Sequence, residues 1–367
     1  TNLSDDVGKE APMEKVVNEA HRSKFQTLEQ FYTSEDLLVF DIETTGFTAE
    51  HTALYLIGCA YYKNRQWNIC QWFNQDGRSE ADILEQFLSF AMNYKYVITY
   101  NGDGFDIPYI TKKAKAYGME NTLAHMESID IYKQIRFLKD VLHMENMKQK
   151  SVERFLGIHR LDKYSGGDLI KVYQEYVKLP VKTNKQLLLQ HNYEDLEGLL
   201  DCTSMLAYCK FKAGCLLVRK MSVRKNRLLF SLELEYQLPK RLTIGLNDII
   251  ITGFQKEATI NAPIYTEELK FFFDNYRDYY YLPAEDMAVH KSVASYVDKN
   301  YREPAKKETC YLRKKGYFIS QIDDGILSGY KRDYEDKESF IELTDSFLQD
   351  LDLLHAYARH IIRLALS

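Results

Sequence analysis

The chain has 367 residues, of which 45% are hydrophobic, and a formal net charge of -5. That length leaves room for two domains and that apolar fraction for real cores, while the negative balance excludes a basic nucleic-acid coat, so any attraction to phosphate must be local. No apolar run approaches the length of a membrane span, and none of the 6 cysteines stands in a CxxC pair, which argues against zinc or iron–sulfur ligation.

Residues 1–30 are expected to form an N-terminal helical arm, through PMEKVVNEAHRSKFQTLEQF, with Pro12 at a first helical position. From Leu37 the texture changes. LLVFDIE (37–43) reads as a buried strand. ALYLIGCAYY (53–62) and QWNICQWF (66–73) read as two more, joined by a polar turn at 63–65. SEADILEQFLSFAMNY (79–94) is an amphipathic helix with a cap-like start, Ser79 followed by Asp82. KYVITY (95–100) is a fourth strand. It runs into the glycine-rich turn NGDGFD and a helix starting near Ile107 and Pro108; HMESIDIY (125–132) is a fifth strand. From about 148 to 210 the pattern is helical, with a loop at 164–167. The polar, acidic start of the chain is unlike a secretory signal, and apolar surroundings for several cysteines fit free thiols in a reducing compartment. A cytoplasmic location is therefore expected.

Three short stretches combine acids with turns. In a strand, residues i and i+2 share a face, so Asp41 and Glu43 can grip one hard cation from the same side before Thr44, Thr45 and Gly46 end the strand. Alone, such a DxE is more simply two solvated charges. In NGDGFD, Asn101, Gly102 and Gly104 build a turn ahead of Asp106; alone this is an ordinary turn with a helix-capping aspartate. In HNYEDLEGLLDC (191–202), His191 and Asp195 are four apart and share a helix face; alone they make a surface pair.

In the order DxE, NGxxFD, HNxxD, the three stretches resemble the DEDD superfamily of 3'-5' exonucleases. KSVERFLGIHRLDKYSGGDLIKVYQEY followed by HNYEDL is similar to the bacterial YprB-type branch, and the resemblance covers about residues 36–209. It implies an α/β RNase H-like domain over 31–209, a mixed sheet flanked by helices. It implies two divalent cations, Mg2+ or Mn2+, on Asp41, Glu43, Asp106 and Asp195, with Asp41 bridging, Glu43 and Asp195 on the metal that activates water, and Asp106 at the second. Better-known branches carry YxxxD or HxxxxD at the last motif. Here His191 stands in HxxxD, as in the YprB-like group, and is the candidate to position or deprotonate the attacking water. Thr44, Thr45, Gly46, Phe47 and Asn101 are expected to hold the terminal nucleotide; Phe105 serves either that pocket or the core. The implied activity is metal-dependent hydrolysis at single-stranded DNA or RNA ends. The alternative is a catalytically weak nuclease-like module that binds nucleic acid or protein.

Residues 210–367 read as a smaller α+β domain. LLFSLELEYQLP, LTIGLNDIIITGF and ATINAPIYTEELKFFF read as strands; EDMAVHKSVASYVDKNY (285–301) and DSFLQDLDLLHAYARHIIRLAL (345–366) read as helices. Its opening run, Lys210, Lys212, Arg219, Lys220, Arg224, Lys225 and Arg227, could track a phosphate backbone. NYREPAKKETCYLRKKGYF (300–318) interleaves basic and aromatic residues, and FFFDNYRDYYYLP adds more rings. These stretches serve either nucleic-acid or partner contact, or simply core and solvated surface.

Overall fold

The computed structural model describes residues 13–20, 28–161, 164 and 166–367, which divide between two units, Thr1–Cys209 and Lys210–Ser367. The first is built on a six-stranded mixed sheet. Its strands are β1 (Met13–Glu19), β2 (Leu37–Thr44), β3 (Leu54–Lys63), β4 (Gln66–Asn74), β5 (Tyr96–Thr99) and β6 (Glu127–Asp130), in the order β1-β4-β3-β2-β5-β6. β2, β3 and β4 pair antiparallel as a meander, while β5 and β6 join β2 in parallel. Parallel neighbours need a crossover. The helices α1 (Glu80–Ala91) and α2 (Asp106–Tyr117) provide these, before β5 and β6 respectively.

β2 explains the layering. Leu38, Phe40 and Ile42 point to one face and pack with Ile83, Leu84 and Phe87 of α1 and Ile110 and Ala114 of α2. Phe40 and Phe87 meet at 5.2 Å, and each such buried ring contributes roughly 1.5–3 kcal/mol. After β6 come the short helices α3 (Ile131–Ile135) and α4 (Leu138–Val141), then α5 (Gln149–Leu156), α6 (Gly166–Lys178) and α7 (Lys182–Cys202). On the opposite face Leu169, Tyr173 and Tyr176 of α6 and Leu188 of α7 cover Tyr55 and Phe73.

Two expectations are corrected here. Where the helical arm was expected, Met13–Glu19 is a strand paired antiparallel with β4 over seven residues, Met13 opposite Asn74 through Glu19 opposite Asn68. The open edge of β4 needs a hydrogen-bonding partner, and the β-branched Val16 and Val17 suit a pleated strand. Pro12 and 21–27 lie outside the described residues. Ser79 does not cap α1 with its side chain; its hydroxyl donates instead to Asp76 at 2.9 Å, which also accepts the Arg78 and Ser79 amides. Four of the cysteines, Cys59, Cys70, Cys202 and Cys310, are buried free thiols.

The chain passes into the second unit at Lys210, within α8 (Leu206–Lys212). β7 (Leu216–Arg224), β8 (Arg227–Leu246) and β9 (Ile249–Pro263) form an antiparallel sheet, β8 and β9 reversing at Asn247, whose φ is 50°. Further sheets contain β10 (Tyr265–Phe272), β11 (Tyr279–Leu282), β12 (Met287–His290), β13 (Glu303–Pro304), β14 (Tyr311–Ser320) and β15 (Phe340–Glu342), in orders β10-β14-β15 and β12-β11-β13. The expected helix over 285–301 is therefore mostly something else. Met287–His290 pairs with β11, because Tyr279–Leu282 needs an antiparallel partner, and only α9 (Lys291–Ala294) is α-helical, with a 3-10 turn at Lys299–Tyr301. The last helix is broken at Asp350 into α10 (Asp345–Gln349) and α11 (Leu351–Ala365), and Tyr357 of α11 stacks on Phe230 at 5.3 Å. Several of the aromatics pack against one another, most of them half-buried: Phe271 meets Tyr330, Phe272 meets Tyr311, and Phe273 stacks on Tyr279. Two residues of the basic run are tied within the fold, Arg219 by an ion pair with Glu233 and Arg227 by a hydrogen bond to Asn261.

Candidate active site

β2 alternates faces. With Leu38, Phe40 and Ile42 committed to the α1 side, Asp41 and Glu43 point to the other, where α7 crosses the sheet. The pairing of β2 with β3 slips between Glu43 and Thr44. Such a bulge bends the strand and re-aims the residues beyond it, so Glu43 stands at the last regular position.

Asp106 arrives from α2, as its first helical residue. Its Oδ1 accepts the Ile42 amide at 3.2 Å, which pins the start of α2 beside the strand between Asp41 and Glu43. Its role is therefore not that of a side-chain cap on its own helix. The preceding turn is held by Asp130, which accepts the amides of Asn101 (2.9 Å) and Asp103 (3.3 Å).

α7 supplies the rest. His191 and Asp195 are one turn apart, with His191 Nε2 at 3.1 Å from Asp195 Oδ2 and 3.5 Å from Glu43 Oε1. Asn192 donates from Nδ2 to Asp41 Oδ2 at 3.0 Å and accepts from Gln71 Nε2 at 2.9 Å. This approach depends on Gly58, which faces Asp41 across β3: a Cβ there would stand 1.9 Å from Asn192 Oδ1. Tyr55 donates its hydroxyl to Glu43 Oε2 at 3.3 Å while its ring stacks on Tyr173 at 4.2 Å. Asp195 Oδ1 is held by Arg160, which also grips Glu153.

Crowding acids at one place carries an electrostatic cost. Burial, then the charges of Asp195, Asp106 and Glu43, push the Asp41 carboxyl well above its ordinary range, partly offset by the Asn192 donor. Burial and the Asp195 charge raise Glu43 to about 8, against the Tyr55 hydroxyl and Lys150. Burial raises Asp106 to about 7, with Asp130 and Asp195 adding and the Ile42 amide opposing. Negative charge in excess of its partners is what a cation relieves. Hard carboxylate oxygens fit Mg2+ or Mn2+. Ligand atoms of Glu43, His191 and Asp195 lie within 4.8 Å of one another, so the residues present fit a divalent ion.

Around this cluster the residues expected to hold a nucleotide divide into two kinds. Thr44 and Thr45 close their own loop: Thr44 Oγ1 donates to the Gly46 carbonyl (2.8 Å), the Thr45 amide donates to the Ala53 carbonyl (2.8 Å), and Thr45 Oγ1 accepts the Ala53 amide (2.8 Å). The Thr45 amide is thus committed within the fold. Phe47 is 91% exposed, and its ring meets Phe105 edge-on at 5.9 Å. Phe105 is half-buried and also touches Tyr109, so it joins core to rim. Asn101 is exposed, with φ at 63°.

The sequence motifs missed Gln71, Asn192, Tyr55, Asp130, Glu153 and Arg160. Asn192 sits inside HNYED, next to His191, and its helical position was a usable signal. Gln71 and Arg160 lie 121 and 35 residues from their partners Asn192 and Asp195; Glu153 and Arg160 fall inside the YprB-like stretch KSVERFLGIHRL, which by itself gave them no role, and no local pattern marks Gln71.

Residues 38–206 match the family model of the RNase H superfamily. Over 129 residues the chain is 29% identical to a DNA polymerase of Pyrococcus glycovorans, covering 29% of this chain and 16% of that one. Over 46 residues it is 35% identical to a DNA polymerase of Methanocaldococcus jannaschii, 12% of this chain and 3% of that one. The chain thus spans only a small part of these curated relatives. Among solved structures it is similar to the family B DNA polymerase of the hyperthermophilic archaeon Pyrobaculum calidifontis (TM-score 0.37, 14% identity, 66% of this chain and 35% of that one). It is also similar to a nuclease in its apo form (TM-score 0.33, 13% identity, 49% and 76%). Strand order, crossover helices and the superfamily match agree: residues 38–206 form an RNase H-like domain.

Proposed function

We propose that the chain is a metal-dependent 3'-5' exonuclease that hydrolyses phosphodiester bonds at single-stranded DNA or RNA ends. The observation that carries this reading is the convergence of Asp41, Glu43, Asp106 and Asp195, from three separate elements, on one charge-strained cluster beside His191. Asp41, Glu43, Asp106 and Asp195 would hold two divalent cations. When bound, these supply an activated water nucleophile and charge stabilisation at the phosphate.

The chain's own residues do the remainder. Asn192 and Tyr55 orient the Asp41 and Glu43 carboxylates. His191 Nε2 faces both Glu43 and Asp195, and is the candidate group to position or deprotonate the attacking water. Phe47 and Phe105 form an aromatic edge against which the terminal base can rest, with Asn101 on the exposed turn preceding Asp106. In the second unit, Tyr296 (92% exposed), Tyr301 and Tyr317 stand out in segments with Lys291, Lys299 and Lys315. We assign that unit to nucleic-acid or partner contact. Among the described residues no helix is long and apolar enough to cross a membrane.

The test uses single strands of DNA and RNA, labelled at the 3' or the 5' end, with Mn2+ or EDTA. Stepwise release of nucleotides from the 3' end, dependent on Mn2+ and lost in Asp41→Ala, is expected. Binding of the strands without cleavage in Mn2+ would make the domain a binding module instead.

A further inference from the structure

Asp195 is held in a way that the four-acid pattern does not call for. Arg160, from the segment after α5, donates through Nη1 to Asp195 Oδ1, and through Nε and Nη2 to both oxygens of Glu153 on α5. The Arg160 and Glu153 side chains are 8% and 2% exposed, so this pair is interior. Gln149, one turn before Glu153, donates to Glu153 Oε1 at 3.0 Å and to the Asp195 carbonyl at 2.7 Å. Gly198, one turn after Asp195 on α7, leaves the hollow that the pair fills: a Cβ there would stand 2.0 Å from Glu153 Oε1 and 3.2 Å from Arg160 Nη2.

Two features of this arrangement matter. First, Arg160 occupies Oδ1 of Asp195, while Oδ2 faces His191 and the rest of the cluster. A carboxylate tied by one oxygen has its rotamer set and offers the other as a single directed ligand. Second, Glu153 cancels the charge of Arg160. An unpaired guanidinium would subtract from the negative charge that attracts cations; the pair provides geometry and leaves that charge whole.

We propose that Arg160, locked by Glu153 and admitted by Gly198, is a positioning residue that makes Asp195 a one-oxygen metal ligand. This inference rests on the metal-dependent reading of the same site. Its test is Mn2+ affinity, measured by calorimetry on the full chain and independent of turnover. Gly198→Ala displaces the Glu153 carboxylate while touching no proposed ligand. The paired variant Glu153→Gln with Arg160→Gln removes the clamp without leaving either member of the Arg160–Glu153 pair as an unpaired interior charge. Both should bind Mn2+ about 10–100-fold more weakly, the range for lost support of a metal ligand, with far-UV circular dichroism unchanged. Cleavage should recover at high Mn2+, so the half-saturating metal concentration moves more than kcat. Arg160→Lys, which keeps the charge but not the fork, should fall between these variants and the parent. Parent-like Mn2+ affinity in both Gly198→Ala and the paired variant overturns the inference. The metal reading itself fails separately, if the parent binds no Mn2+ or if Asp41→Asn binds it as the parent does.

Discussion

Asparagine at position 106 separates two jobs of one side chain. Its amide oxygen can still accept the Ile42 N–H that Asp106 Oδ1 accepts at 3.2 Å, so the joint between β2 and α2 survives. The charge does not. Burial, reinforced by Asp130 and Asp195, raises Asp106 from 3.8 to about 7. At about 1.36 kcal/mol per pH unit, holding that carboxylate ionised costs the fold up to about 4 kcal/mol relative to the unfolded chain. Below about pH 4 the group is protonated in both states and costs nothing. Between about 4 and 7 the folded state binds the extra proton, so stability falls as pH rises; above about 7 the cost is constant. Asp106→Asn lacks this contribution, while those of Asp41 and Glu43 are present in both proteins. In EDTA it should match the parent near pH 4 and exceed it by roughly 2–4 kcal/mol near pH 8, read as the shift of the urea midpoint. Saturating Mg2+ should narrow or reverse the difference, because the parent gains about 2.7 kcal/mol at a hundredfold excess over its dissociation constant. Metal-dependent cleavage should fall by about 100-fold or more, as expected on losing a charge-stabilising group. Equal stability near pH 8 in EDTA, or a difference that does not change with pH, would refute the electrostatic account of the site.

Gly58→Ala forces a Cβ against Asn192 and Leu196; it should cost about 1–3 kcal/mol in urea unfolding and lower activity by displacing the Asn192 contact to Asp41. Phe47→Ala removes a ring that is 91% exposed, so stability should change by no more than about 0.5 kcal/mol, while KM for a single-stranded substrate rises with little change in kcat. Tyr55→Phe deletes the hydroxyl bonded to Glu43 Oε2. It should cost about 1 kcal/mol and raise the Mg2+ concentration needed for half-maximal activity at neutral pH, because the lost donor favoured the ionised carboxylate.

The central strands were legible because their local and global demands agree. LLVFDIE combines a β-forming apolar run with a turn after it, and β2 spans Leu37–Thr44 as that pattern requires. The N-terminal segment was misread because MEKVVNE satisfies helix and strand about equally; the unpaired edge of β4 decided it. The same holds for Met287–His290, which takes its form from β11. At the site, periodicity alone put Asp41 with Glu43 and His191 with Asp195.

What periodicity could not supply is everything that depends on which face of α7 meets which strand. Asn192 reaches Asp41 only because Gly58 lets α7 approach β3, and Arg160 reaches Asp195 only because Gly198 leaves a hollow for Glu153. These residues are distant in sequence and carry no spacing of their own. The sequence alone determined which acids occur and on which elements. Only tertiary packing decided that the acids share one poorly compensated cluster, and which neutral and paired side chains hold each oxygen in place. The reason is that burial and Coulomb interaction depend on distance in space, while helix and strand periodicities carry only distance along the chain.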